Sequence, residues 1–177
     1  LQKAGTKIKA GDVIEKIDGE VIAENTNPFT LLNRKAGKAV LLSLLDPATN
    51  VRWEEIVKPI SQGAEDEMLY ERWIKTRREM VDKLSGGKIG YAHIRSMGDA
   101  AFRDFYSEVL GRNTDKQAIV IDTRFNGGGW LHDDLTDLLS GKTYFDYVPR
   151  GNLIGHDPMQ KWNKKTVVVM SESNYSN

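Results

Sequence analysis

"QAIVIDTRFNGGGWLHDDLTDLLSG", residues 117–141, sets an apolar run against three consecutive glycines and then an acidic, helix-like stretch. The apolar run reads as a strand buried on both faces of a sheet. A backbone without Cβ atoms adopts positive φ readily and lets another molecule approach its N–H groups. The glycines are therefore either a tight turn or a ligand cradle. What flanks them decides the fold.

Upstream, "KIGYAHIRS" reads as a strand and "DAAFRDFYSEVLG" as an amphipathic helix. Downstream, "WLHDDLTDLLSG" reads as a helix and "KTVVVMSE" as another buried strand. Strand, helix, strand, glycine turn, helix, strand is an α/β layer pattern. Residues 1–61 differ in character. "AGDVIEKIDGEVI" alternates around Asp18-Gly19, a hairpin dipeptide, so Val13, Ile14 and Ile17 face a core, with Val21 and Ile22 returning. "NPFTLLNRKA" reads as a short helix capped by Asn27, with Pro28 at its first position and Gly37 closing it. "KAVLLSLLD" and "VRWEEIVKPI" are strands around a "PATN" turn, and Pro59 ends the segment. Residues 62–86 then form a linker helix, with Met68, Leu69, Trp73, Met80 and Leu84 on one packed face and "SGG" stopping it. The remainder, 87–177, is a partial α/β core.

Twenty-five basic residues balance twenty-five acidic ones, so no global field favours nucleic acid or an anionic membrane. The absence of cysteine removes disulfides, thiolate zinc sites and a cysteine nucleophile. The longest apolar runs, "AVLLSLL" and "TVVVM", are too short to span a bilayer, and the first residues do not form a signal peptide. A start at Leu1 without methionine, and an end at Asn177 just after a strand-like run, imply an excised piece.

In layered α/β folds ligands gather at the carboxyl ends of strands. If "AIVIDTRF" and "TVVVMSE" are parallel neighbours, "NGGGW" and "SNYSN" meet at one edge of the sheet. The glycine N–H groups then face a group presented by Ser176, the geometry that acyl transfer needs for its oxyanion. Taken alone, the glycines are a turn and Ser176 one serine of many. Neither phosphate-loop pattern, G-x-x-x-x-G-K-[ST] or G-x-G-x-x-G, is matched. Of the three histidines, His93 lies inside a strand, His132 follows the glycine turn on a helix, and His156 sits in the loop "GNLIGHDPMQKW"; none pairs convincingly with Ser176. No set of His, Asp and Glu has metal-ligand spacing.

"KAGDVIEKIDGEVI" resembles the PDZ-domain strand and hairpin of the tricorn-type and C-terminal-processing serine peptidases. "KIGYAHIRSMGDAAFRDF", "AIVIDTRFNGGGW" and "VVVMSESNYSN" resemble successive blocks of the core half that follows it. The resemblance implies a crotonase-like, ClpP-like layered α/β core behind a PDZ-like β-rich domain lacking its first strand. It implies peptide-bond hydrolysis through an acyl-enzyme, with Ser176 as nucleophile. It places the oxyanion hole on the glycine loop, at Gly128 first and Gly127 second, with the Asn177 backbone N–H as the other donor. No metal or cofactor is implied. The base histidine of such enzymes precedes the PDZ domain, and the acidic and orienting residues follow the nucleophile, so this chain alone is expected to be silent. Partners implied are peptides or unfolded protein tails and further copies of the parent, in a bacterial envelope or the cytoplasm, without nucleic acid or membrane insertion. Two other readings stay open: a non-catalytic PDZ-type peptide-binding module, and crotonase-like acyl-thioester chemistry.

Overall fold

The computed structural model describes residues 5–176, and the chain divides into two compact units between Tyr70 and Glu71. In the first, strands β1 (Val13–Ile17), β2 (Glu20–Val21), β3 (Val40–Asp46) and β4 (Val51–Val57) form an antiparallel sheet in the order β2-β1-β3-β4. Asp18 and Gly19 both take positive φ, as the hairpin dipeptide requires. β3 is the spine of this unit: its period-two side chains Val40, Leu42 and Leu44 are buried with Ile17 from β1. Asp46, at the end of β3, accepts from Lys9 Nζ at 2.7 Å and from the Ala48 backbone N–H at 2.9 Å. The Lys9 bond leads in pulling its carboxyl down to about 2.

Asn27 caps a short helix as expected, its side chain accepting from Phe29 N at 3.0 Å. That helix, α1 (Pro28–Leu31), is one turn long and ends well before Gly37. Val13 and Val21 are exposed, so the hairpin buries Ile17 and only partly Ile14 and Ile22. β2 is an edge strand of two residues, too short to return an apolar face to the core.

Helix α2 spans Gln62–Ser85. Met68, Leu69, Met80 and Leu84 on its expected packed face are exposed. The residues partly covered in its second half are Trp73, Ile74, Thr76, Arg77, Arg78, Val81 and Ser85, which keeps only Trp73 of the expected set. Arg77 lies over the Trp73 ring and Arg78 Nη2 donates to Glu108 Oε1 at 3.0 Å, so the covered side carries arginines that an apolar pattern does not single out.

The second unit is built on a parallel sheet, β5 (Ile89–His93), β6 (Ala118–Asp122) and β9 (Lys165–Val169), in the order β5-β6-β9. Between β5 and β6 run α3 (Asp99–Ser107) and a π-helical turn at Glu108–Arg112. Between β6 and β9 run α4 (His132–Ser140) and a two-stranded arm, β7 (Phe145–Tyr147) with β8 (Gly155–Asp157). The core gathers Ala92, Ile94, Phe105, Val109, Ile119, Ile121, Leu131, Leu138 and Trp162. Central β6 pairs on both sides, and like β5 it has three buried residues and none exposed. β9 departs from the buried strand expected from "TVVVM": among the described residues it pairs with β6 alone, and Val167, Val168 and Met170 are exposed.

Candidate active site

Parallel pairing fixes where the loops go. Ile119 to Asp122 on β6 stand opposite Thr166 to Val169 on β9, so both chains leave the sheet at the same end. Beyond the strands the pairing continues through isolated bonds. Thr123 N–H donates to Val169 O at 2.8 Å, and Tyr175 N–H donates to Asn126 O at 3.0 Å. On the other side, Met97 N–H donates to Gly128 O at 2.9 Å and Trp130 N–H to Met97 O at 2.7 Å. The glycine run is thus stitched between the segment after β5 and the segment that ends in Ser176.

This close approach accounts for two of the three glycines. Gly128 has φ +80, and a Cβ there would lie 2.6 Å from Tyr175 O and 2.7 Å from Ser176 Cβ. Gly129 has φ +141, and a Cβ would stand 2.2 Å from Met97 O. Both positions exclude any side chain. Gly127 meets neither constraint, for nothing lies within 4 Å of its Cβ position. Ser176 is exposed and takes φ +61, an uncommon backbone conformation for a non-glycine residue. Asn177 lies outside the described residues.

The N–H groups are not equally available. Gly127 N–H donates to Arg95 O at 3.1 Å, and Gly128 N–H to Asn126 Oδ1 at 2.7 Å. Gly129 N–H has no acceptor among the described residues, and the ladder on Met97 turns it away from that segment.

Beneath the loop lies a polar cluster that the sequence pattern did not single out. The Asp122 side chain, 1% exposed, accepts from Tyr91 Oη at 2.8 Å and from Arg124 Nε and Nη2 at 2.9 and 2.6 Å. Burial alone would raise its carboxyl, but the bonds from Arg124 and Tyr91 outweigh burial and hold it below the usual range. Burial, with the Asp122 bond, raises the Tyr91 phenol. Arg124 in turn lies over the Trp73 ring at 5.0 Å. The signal in sequence was only an acid two residues before an arginine, which a surface strand end shows equally well.

The three histidines lie on different elements. His93 Nδ1 lies 2.7 Å from Asp122 O, and burial lowers its pKa. His132 opens α4 with its ring edge-on to Trp130 at 5.1 Å. His156 sits on β8 opposite Asp146. Among the described residues, no group of three or more His, Asp or Glu could hold a metal ion.

Residues 88–177 match the sequence profile of peptidase family S41, and residues 1–62 match that of the tricorn protease PDZ domain. The tricorn protease of Thermoplasma acidophilum is 28% identical over 92% of the chain, and the tricorn protease homolog of Saccharolobus solfataricus is 31% identical over 96%. The chain spans about 15% of the length of each. A crystal structure of the tricorn protease superposes with a TM-score of 0.68 at 27% identity, covering 92% of this chain and 16% of that one. With half its length on the family profile and the fold shared, the chain belongs to peptidase family S41 and carries a tricorn-type PDZ segment ahead of its catalytic-family segment.

Proposed function

We propose that this chain contributes the nucleophile and the oxyanion-binding loop of a serine peptidase that cleaves peptides or unfolded tails through an acyl-enzyme. The observation that carries the reading is the packing of Gly128 directly against Ser176, which a single methyl group would forbid. Ser176 Oγ attacks the scissile carbonyl after losing its proton to a base, and loop N–H groups hold the negative oxygen that forms. The positive φ of Ser176 resembles the strained turns on which other serine nucleophiles are presented.

Within the glycine run, Gly128 remains the preferred donor over Gly127. Its present acceptor is a side-chain oxygen that can share the hydrogen, whereas Gly127 is bound to a backbone carbonyl. Gly129 N–H is the alternative should Gly128 keep its bond, and Asn177 N–H supplies the second donor. The base comes from a segment outside these residues, so the isolated chain is silent. The core is of the crotonase-like, ClpP-like layered kind, and the first unit is a PDZ-like domain.

The test is hydrolysis of a mixed set of short fluorogenic peptides by the full-length protein beside its Ser176→Ala variant. Hydrolysis lost in a folded variant supports the reading. Hydrolysis that survives removes Ser176 from the mechanism, and none in either protein turns the assignment to a peptide-binding module.

A further inference from the structure

We propose that Asn126 is a positioning residue that fixes the spacing between the glycine loop and Ser176; the catalytic meaning of that spacing rests on the peptidase reading above. Asn126 is 5% exposed, and all four of its polar groups are bonded. Its side-chain Nδ2 donates to Ile94 O at 2.8 Å, just beyond β5. Its Oδ1 accepts from Gly128 N at 2.7 Å. Its backbone N–H donates to Thr123 O at 3.0 Å, and its backbone oxygen accepts from Tyr175 N at 3.0 Å. One residue therefore ties together the ends of β5, β6 and the segment after β9, with Gly128 a direct partner and Ser176 one residue beyond another, Tyr175.

The chemistry selects the residue type. The site needs a donor toward Ile94 and an acceptor toward Gly128 at a fixed short reach, and a buried polar group left unpaired is costly. Aspartate has the reach but, ionised, sets a charged oxygen against the Ile94 carbonyl. Alanine leaves the Ile94 carbonyl and the Gly128 N–H without partners. Glutamine carries both groups one methylene too far. A second asparagine supports the same arrangement from the opposite loop: Asn174 Nδ2 donates to Thr123 Oγ1 at 2.9 Å, and its Oδ1 accepts from Ser171 N at 3.2 Å.

The experiment pairs kinetics with hydrogen exchange on the full-length protein, its Asn126→Ala and its Asn126→Asp forms. In the unsubstituted protein the amides of Gly128 and Tyr175 are expected to exchange slowly; rapid exchange at either overturns the bracket without any variant having to fold. Both substitutions are expected to speed exchange in the glycine loop and in the Ser176 loop together. They are also expected to lower kcat about 100-fold, as a displacement of about 1 Å does, with KM little changed. Exchange that rises in the glycine loop alone, or an unchanged kcat, overturns the proposal. A full-length protein that hydrolyses no peptide defeats the peptidase reading, while the exchange data still decide whether Asn126 couples the two loops.

Discussion

The backbone N–H of Tyr175 donates to the backbone oxygen of Asn126 at 3.0 Å, so the residue before Ser176 is bound to the residue before the three glycines. The two loops are a single hydrogen-bonded layer extending the sheet past its strand ends. Three adjacent glycines thereby acquire three different roles, and alanine substitution should separate them. Gly127→Ala meets open space and should change stability by less than about 0.5 kcal/mol. Gly128→Ala, at φ +80 and against Ser176, should cost about 1–3 kcal/mol and abolish hydrolysis by the full-length protein. Gly129→Ala presses on the Met97 backbone and should cost the most, about 3–5 kcal/mol. Denaturant unfolding of the three variants checks the order; equal costs would show that the loop relaxes freely.

The Asp122 cluster makes a separate prediction about stability. Asp122→Asn keeps the shape but removes the charge that faces Arg124 and accepts from Tyr91. Arg124 is partly exposed and can turn to water, so the cost should stay near about 2–3 kcal/mol rather than the larger values of a fully buried pair. The double change Asp122→Asn with Arg124→Gln should cost less than the sum of the singles, measured as a cycle by unfolding. Strict additivity would mean the two side chains do not interact in solution.

How much of this was legible in the sequence follows from which signals are local. The alternation along "KAVLLSLLD", the Asp18-Gly19 turn and the Asn27 cap depend on neighbours in the chain, and each appears where the pattern puts it. The face of α2 did not follow: Met68, Leu69, Met80 and Leu84 are exposed, while Arg77, over the Trp73 ring, and Arg78, bonded to Glu108, are partly covered, and contacts of that kind leave no apolar periodicity. β9 was read as enclosed, yet a run of valines cannot report whether a strand has one partner or two. For the site, the meeting of the glycine loop with the Ser176 loop was inferable from parallel strand ends. The roles of Asn126 and Asp122 were not, because a bond between Asn126 and Ile94 joins residues 32 apart in sequence.

Gly90 supplies a prediction remote from Ser176. A Cβ on Gly90 would lie 2.3 Å from Asn113 Oδ1, and Asn113 is 2% exposed. Its amide donates to Glu108 O at 2.8 Å and to Tyr91 O at 3.3 Å, so the side chain cannot turn away without breaking both bonds. Gly90→Ala should therefore destabilise the second unit by about 1–3 kcal/mol. Pairing it with Asn113→Ala should recover part of that loss, since removing the amide makes room for the methyl group. Thermal unfolding of the single and double variants checks this, and a double variant no more stable than Gly90→Ala would place the clash elsewhere.

His93 sets a pH dependence whose sign can be worked out. Burial lowers its pKa in the folded protein, more than the Asp122 carbonyl and charge raise it, while the nearby Arg124 and Arg95 act in the same direction as burial. In the unfolded chain the ring titrates near about 6.5. Between that value and the lower folded one, the unfolded state binds more protons than the native state, so stability rises with pH. The contribution is fully present above about 6.5 and is lost as the pH falls through the folded pKa. Asp122, whose folded pKa is also lowered, adds a further loss only below about 4, the range in which an unfolded aspartate titrates. The melting temperature of the second unit should accordingly begin to decline just below pH 6.5, well before carboxylates protonate. His93→Gln should flatten that upper portion of the profile and leave the steeper acid limb in place. An unaltered profile in the variant would mean that the ring is solvated in the folded protein, and that Trp73, 5.5 Å away centroid to centroid, does not shield it.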